Sequence, residues 1–192
     1  MMNNRKIGIL RLDHRVFRDQ RITTHVGLTA RAFGCTSFAY TGEKDENLEE
    51  SLTKVAKRWG GELVVSFEQS AVKYINSWNG LVVHLTMYGE HHKETIETLH
   101  EYSNEDILLV VGGAKVPPKI YELADFNTAI GLQPHSEIAA IGIFLTDFLG
   151  SDILYRKIPG AEISLDLGTK GTRKDGFKKG QNVGKKYQEG LQ

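Results

Sequence analysis

A chain of 192 residues holds one cysteine, Cys35, and four prolines. With no second thiol, an intrachain disulfide and a cysteine-based zinc site are both excluded, and a reducing, cytoplasmic setting is expected. Long apolar runs are missing too. Nothing approaches the roughly 18 apolar residues that a membrane helix needs, and the opening MMNNRKIGIL lacks a signal-peptide core, so a soluble protein is expected. Neither sign of charge is in excess, with 24 Lys plus Arg against 24 Asp plus Glu. Bulk electrostatics therefore neither require nor exclude a nucleic acid. The GxxxxGK[ST] phosphate loop, GxGxxG after a first strand, HExxH and the GxSxG elbow are all absent. His91, His92 and His100 suggest no metal site, because adjacent helical histidines point to different faces and no acidic cluster supports them.

What is present is an alternation of short buried strands and helices. Strands are predicted over 6–12, 35–40, 63–67, 81–86, 107–111 and 127–130. Helices are predicted over 22–33, 45–59, 70–78, 90–102, 117–124 and 138–149, with 13–21 read as a charged loop. Such alternation implies an α/β domain over 1–150 with a mainly parallel sheet flanked by helices, since parallel neighbours need crossovers. From 151 to 192 the character changes. A strand or hairpin is expected near 158–167, followed by a basic Gly/Lys-rich tail with Lys170, Arg173, Lys174, Lys178, Lys179, Lys185 and Lys186.

Three glycine-punctuated turns each close an apolar strand: 85–89 (LTMYG), 112–117 (GGAKVP) and 130–137 (IGLQPHSE). In a parallel sheet these ends share one edge, where ligands usually bind. Backbone groups there could read an adenosine-type ligand, with Leu85, Met87 and Val116 as apolar walls. Ordinary capped connections and core packing remain open as alternatives. A second concentration lies at the amino terminus, where Arg11, Arg15, Arg18, Arg21 and Arg31 suit phosphates, which guanidinium grips bidentately. Surface ion pairs with Asp13, Asp19 or Glu49 are the alternative.

Four segments, RxxRDxRxxTHVxLxARAFG over 15–34, HLTMYG over 84–89, VVGGAKVP over 110–117 and QPHSEIAA over 133–140, together resemble the archaeal tRNA cytidine(56) 2′-O-methyltransferases of the SPOUT class. The resemblance implies S-adenosylmethionine as donor, the 2′-hydroxyl of cytidine 56 in the tRNA T-loop as acceptor, a homodimer with the site at its interface, and a trefoil knot over about 80–150. Donor contacts implied by it are Leu85; Gly112, Gly113, Ala114, Lys115 and Val116; and Ile130, Gly131, Leu132, Gln133, Pro134, His135, Ser136 and Glu137. It points to Arg31 as the residue acting on the acceptor hydroxyl, by stabilising the developing alkoxide. The proton would pass to phosphate, water, His25 or His135, while Arg11, Arg15, Arg18 and Arg21 would hold RNA. Two departures stand out: GGAKVP replaces the usual GAEKVP, and Asp13 stands where a glycine commonly precedes the histidine. Two rival readings are a non-catalytic RNA-binding module and a nucleotide-binding α/β protein.

Overall fold

The computed structural model describes residues 5–113, 115–158, 160–165 and 173–174. Its main sheet has the strands β1 (Ile7–His14), β2 (Ser37–Gly42), β3 (Val64–Phe67), β4 (Gly80–His91), β5 (Asp106–Val111) and β6 (Phe126–Ala129). They lie in the order β3-β2-β1-β5-β4-β6, and every neighbouring pair is parallel. The intervening helices are α1 (Val16–Phe33), α2 (Glu46–Trp59), α3 (Ala71–Ser77), α4 (His92–Glu101), α5 (Pro118–Leu123) and α6 (Glu137–Leu149). Side chains alternate across the sheet. Ile9, Val83, Leu109 and Val111 meet Val26, Leu52, Ile141 and Phe144 from α1, α2 and α6, while Leu10, Val82, Leu108 and Val110 meet Ile75 and Ile120 from α3 and α5. Both faces are covered, so the central strands read as nearly unbroken apolar runs. Among the described residues no helix is long and apolar enough to cross a membrane.

Three elements differ from expectation. The predicted charged loop over 13–21 is mostly helix, since α1 begins at Val16. Its first turns carry no apolar stripe, and Phe17 is fully exposed. Polar contacts hold them instead: Arg15 Nε donates to Asp19 Oδ2 at 2.8 Å and Val16 N to Glu43 Oε2 at 2.8 Å. The second difference is at β4. Leu85 and Glu90 both register with Thr128, so residues 86–89 bulge out of a strand that continues beyond them. Gly89 is required there, because a Cβ would lie 2.4 Å from the Asn127 carbonyl carbon. Beyond α6, a two-stranded antiparallel pair joins β7 (Ser164–Leu165) to β8 (Arg173–Lys174), much shorter than the strand expected over 158–167. The rest of the basic tail lies outside the described residues.

The β1–α1 junction is built on buried polar groups. Asp13 adopts φ 56°, the left-handed region, which accounts physically for the glycine common at that position in the family it resembles. His14, fully buried, contacts Thr23 Oγ1 through Nδ1 at 2.8 Å. Its Nε2 lies 3.4 Å from Asp45 Oδ2, an ion-pair distance without hydrogen-bond alignment. Asp45 also caps α2 by accepting from Leu48 N at 3.1 Å, and Tyr40 OH donates to Glu49 Oε1 at 2.7 Å.

Burial pushes the His14 imidazole below the ordinary histidine pKa against the pull of Asp45, and it does the same to His84 in β4. The unfolded chain binds protons at about 6.5 on each group. The stability these two contribute is therefore complete above that pH and is lost as pH falls through the depressed folded values. Urea unfolding is expected to give a lower free energy at pH 5 than at pH 7.5, with a smaller difference in His14→Asn. A wild-type difference that His14→Asn leaves unaltered counts against the His14 assignment.

Candidate functional site

The parallel sheet delivers three connections to one edge: the 86–89 bulge of β4, the loop after β5, and the segment joining β6 to α6. Between them lies a cavity of about 690 Å³. Local sequence explains its shape. Gly112 permits the loop after β5 to fold back on itself, since a Cβ there would stand 2.4 Å from Val116 Cγ2. A Cβ at Gly113 would meet nothing within 4 Å, so that residue leaves open space on the cavity wall. On the other side Gly131 turns at φ 71°, and Ser136 caps α6 by accepting from Ala139 N at 3.2 Å.

Of the donor contacts anticipated from sequence, Leu85, Gly112, Gly113, Lys115, Val116, Ile130, His135, Ser136 and Glu137 line this cavity. Gly131, Leu132, Gln133 and Pro134 do not; they form an exposed arch beside it, with Leu132 93% exposed. Ala114 lies outside the described residues. The cavity also recruits His84, Thr86, Tyr88, Val111, Tyr121 and Ala140. Thr86 and Tyr88 belong to the turn expected over 85–89, whereas His84, Val111, Tyr121 and Ala140 were missed because they are strand or helix positions. His84 had one available signal, a polar residue within the apolar stretch Leu81–Leu85.

The arginines divide sharply. Arg11 was expected on an RNA-facing surface, but it is only 2% exposed in the central strand β1. Its Nη1 donates to Leu12 O at 2.7 Å, its Nη2 lies 3.8 Å from Glu137 Oε1, and Nε has no partner among the described residues. Burial lowers its pKa, with Glu137 opposing. Arg11 thus sets a fixed positive charge behind the acid that lines the cavity. Arg15 is half-exposed and paired with Asp19, while Arg18 and Arg21 face solvent on α1.

Arg31 does not approach the cavity. Helix α1 has 18 residues, about 27 Å in length, and runs back to the amino-terminal edge of the sheet, with Arg31 in its last turn. There Nη2 donates to Trp59 O at 2.8 Å, at the carboxyl end of α2. Burial, and then the Arg156 charge, lower its pKa. Its expected role on the acceptor hydroxyl is thus not supported within the chain, and its visible role is to satisfy a helix terminus. His25 is also remote, in a separate shallow depression with Arg21, Thr24, Asn47 and Ser51. His135 does reach the cavity. Its Nε2 is 2.6 Å from Ile130 O and its Nδ1 3.1 Å from Ser136 O, so the proton that satisfies the closer carbonyl makes Nε2 a donor and no base. Arg31→Ala is expected to reduce unfolding free energy by about 1.5–3 kcal/mol, the range for a charged donor lost from a helix carbonyl. Urea denaturation checks this, and unchanged stability would remove the capping role.

The family model described as tRNA ribose 2′-O-methyltransferase, aTrm56, matches residues 59–173. A tRNA (cytidine(56)-2′-O)-methyltransferase of Pyrococcus horikoshii is 47% identical over 161 residues, covering 83% of this chain and 79% of that one. The enzyme of the same name from Thermococcus kodakarensis is 45% identical, with 83% and 91% covered. Among solved structures, the TrmH/SpoU tRNA modifying enzyme of A. aeolicus superposes with TM-score 0.56 at 16% identity, with 81% of each chain covered. The SpoU methyltransferase AviRb of Streptomyces viridochromogenes, in complex with AdoMet, gives TM-score 0.56 at 11% identity, with 80% of this chain and 60% of that one covered. These two likenesses establish the fold, and the family match with the 45–47% identities establishes the lineage: the chain belongs to the tRNA ribose 2′-O-methyltransferase family of the aTrm56 type.

Proposed function

We propose that this chain methylates the ribose 2′-hydroxyl of cytidine 56 in the tRNA T-loop, with S-adenosylmethionine as donor. The observation that carries the reading is the cavity of about 690 Å³ at the carboxyl ends of β4, β5 and β6, in a chain 45–47% identical to enzymes of that name. The residues present suit such a donor. Leu85, Val111, Val116 and Ile130 are apolar walls for a base, Gly113 leaves space, and Glu137 supplies one negative charge for a cationic ligand.

When bound, the donor supplies a methyl on a good leaving group, so the S–CH₃ bond breaks as the O–CH₃ bond forms and the hydroxyl proton departs. The protein's task is chiefly to align the two atoms in a dry site. Glu137, backed by buried Arg11, holds its carboxylate at the α6 terminus, where negative charge is favoured. Arg15 at the amino-terminal cap of α1 and Arg18 and Arg21 on its first turns are the proposed phosphate contacts. His135, bonded to the Ile130 carbonyl, acts in this reading as a wall, and the proton goes to water or to a substrate phosphate.

The same reading includes a homodimer and the knotted threading that accompanies this fold family. Support for the dimer is an uncovered apolar set on adjoining elements: Phe17 on α1, Leu132 before α6, and Ile143 on α6, with α1 and α6 packed together. Sedimentation is expected to show a dimer for the full chain and a monomer for Phe17→Asp combined with Ile143→Asp; a monomeric wild type excludes this arrangement. For the reaction itself, labelled methyl is expected to enter a tRNA transcript and to fail to enter one carrying the 2′-deoxy analogue at position 56. Labelling of the deoxy substrate would rule out that ribose as acceptor.

A further inference from the structure

His84 is the most deeply placed polar side chain on the cavity wall and is fully buried. Its Nδ1 lies 2.9 Å from Asn127 Oδ1 on the neighbouring strand β6. The orientation of that amide is fixed independently, because Asn127 Nδ2 donates to Tyr121 O at 3.0 Å. An amide oxygen facing Nδ1 requires the proton there, which leaves Nε2 as a neutral acceptor. That atom has no partner among the described residues. A buried acceptor without a partner costs free energy, so a group that reaches it with an N–H or O–H gains more than it would at the surface.

The surroundings limit what that group can be. Tyr121 stands edge-on to the imidazole, ring centroids 4.6 Å apart, and its hydroxyl is engaged with Thr86 Oγ1 at 2.9 Å. Among the described residues no charged side chain pairs with His84, Tyr121 or Thr86. The cavity's acid, Glu137, lies near Arg11 at the end of β1, two strand spacings from β4 and thus about 10 Å along the sheet. By side-chain alternation, Arg11 follows the α1–α6 face with Ile9, and His84 follows the α3–α5 face with Val82. A zwitterionic amino-acid end belongs with Glu137. An uncharged donor group on a planar ring belongs with His84.

The geometry points to His84 as a specificity-determining residue that reads the exocyclic amine of the donor's adenine through Nε2, with Asn127 fixing the required tautomer. This rests on the donor reading given above. Burial holds the imidazole neutral by lowering its pKa, so the acceptor stays available at physiological pH.

Calorimetry on the full chain tests it with two probes, S-adenosylhomocysteine and its inosine counterpart, whose 6-oxo group presents a lone pair where the amine presented a proton. Wild type is expected to favour the adenine ligand by about tenfold or more, the loss of one buried hydrogen bond. His84→Leu is expected to lose that preference by weakening only the adenine ligand. His84→Gln, which keeps an acceptor, should retain part of it. An undiminished preference in His84→Leu, or an equal loss for both ligands, overturns the assignment and leaves the donor reading standing. A wild type indifferent to the exchange overturns it whether or not the variants fold. A wild type that binds neither probe overturns both readings.

Discussion

Every strand of the six-stranded sheet runs the same way, and the candidate site follows from that constraint. In a parallel ladder each strand must be followed by a crossover, so every carboxyl end opens onto the same edge. Because β5 and β4 sit between β1 and β6, the loop after β5, the bulge of β4 and the arch before α6 converge over a space only a few strand spacings wide. No single segment makes the site.

The same arrangement explains its electrostatics. A central parallel strand is covered on both faces, so a charged side chain there has to be buried. Arg11 occupies such a position and is only partly satisfied, by one carbonyl and a long contact to Glu137. Removing the acid would leave an unpaired buried cation, which costs more than the pair itself is worth. Glu137 is therefore constrained by the fold beneath it as well as by any ligand.

Much of this was legible in the sequence, for identifiable reasons. Helix α2 announced itself through Leu48, Leu52 and Ala56 at helical spacing, although Asp45, expected inside it, is its cap. The segment at 130–137 was legible as glycine, proline, then a long apolar helix. The first turns of α1 were not, because Phe17 and Arg18 face solvent there and side-chain pairs hold the backbone. The expected turn at Met87-Tyr88-Gly89 became a bulge, since continuation of β4 depends on Thr128, a partner 38 or more residues away in sequence. For Arg31 the arginine-rich motif suggested chemistry, although the crossover from one parallel strand to the next already carries the end of α1 to the amino-terminal edge of the sheet. Arg11 carried a usable signal: a residue inside a strand flanked by Leu10 and Leu12 is a poor candidate for solvent.

The bulge in β4 separates two jobs that a regular strand would force together. Thr128 registers with Leu85 on entry and with Glu90 on exit, so the sheet closes without reference to the length of what lies between. A change of length at 87–88 would be taken up by the bulge, provided Thr86 keeps its hydroxyl on Tyr121 and Gly89 its close approach to Asn127. The rim of the cavity is accordingly a loop carried on a scaffold whose hydrogen-bond register is set on either side of it.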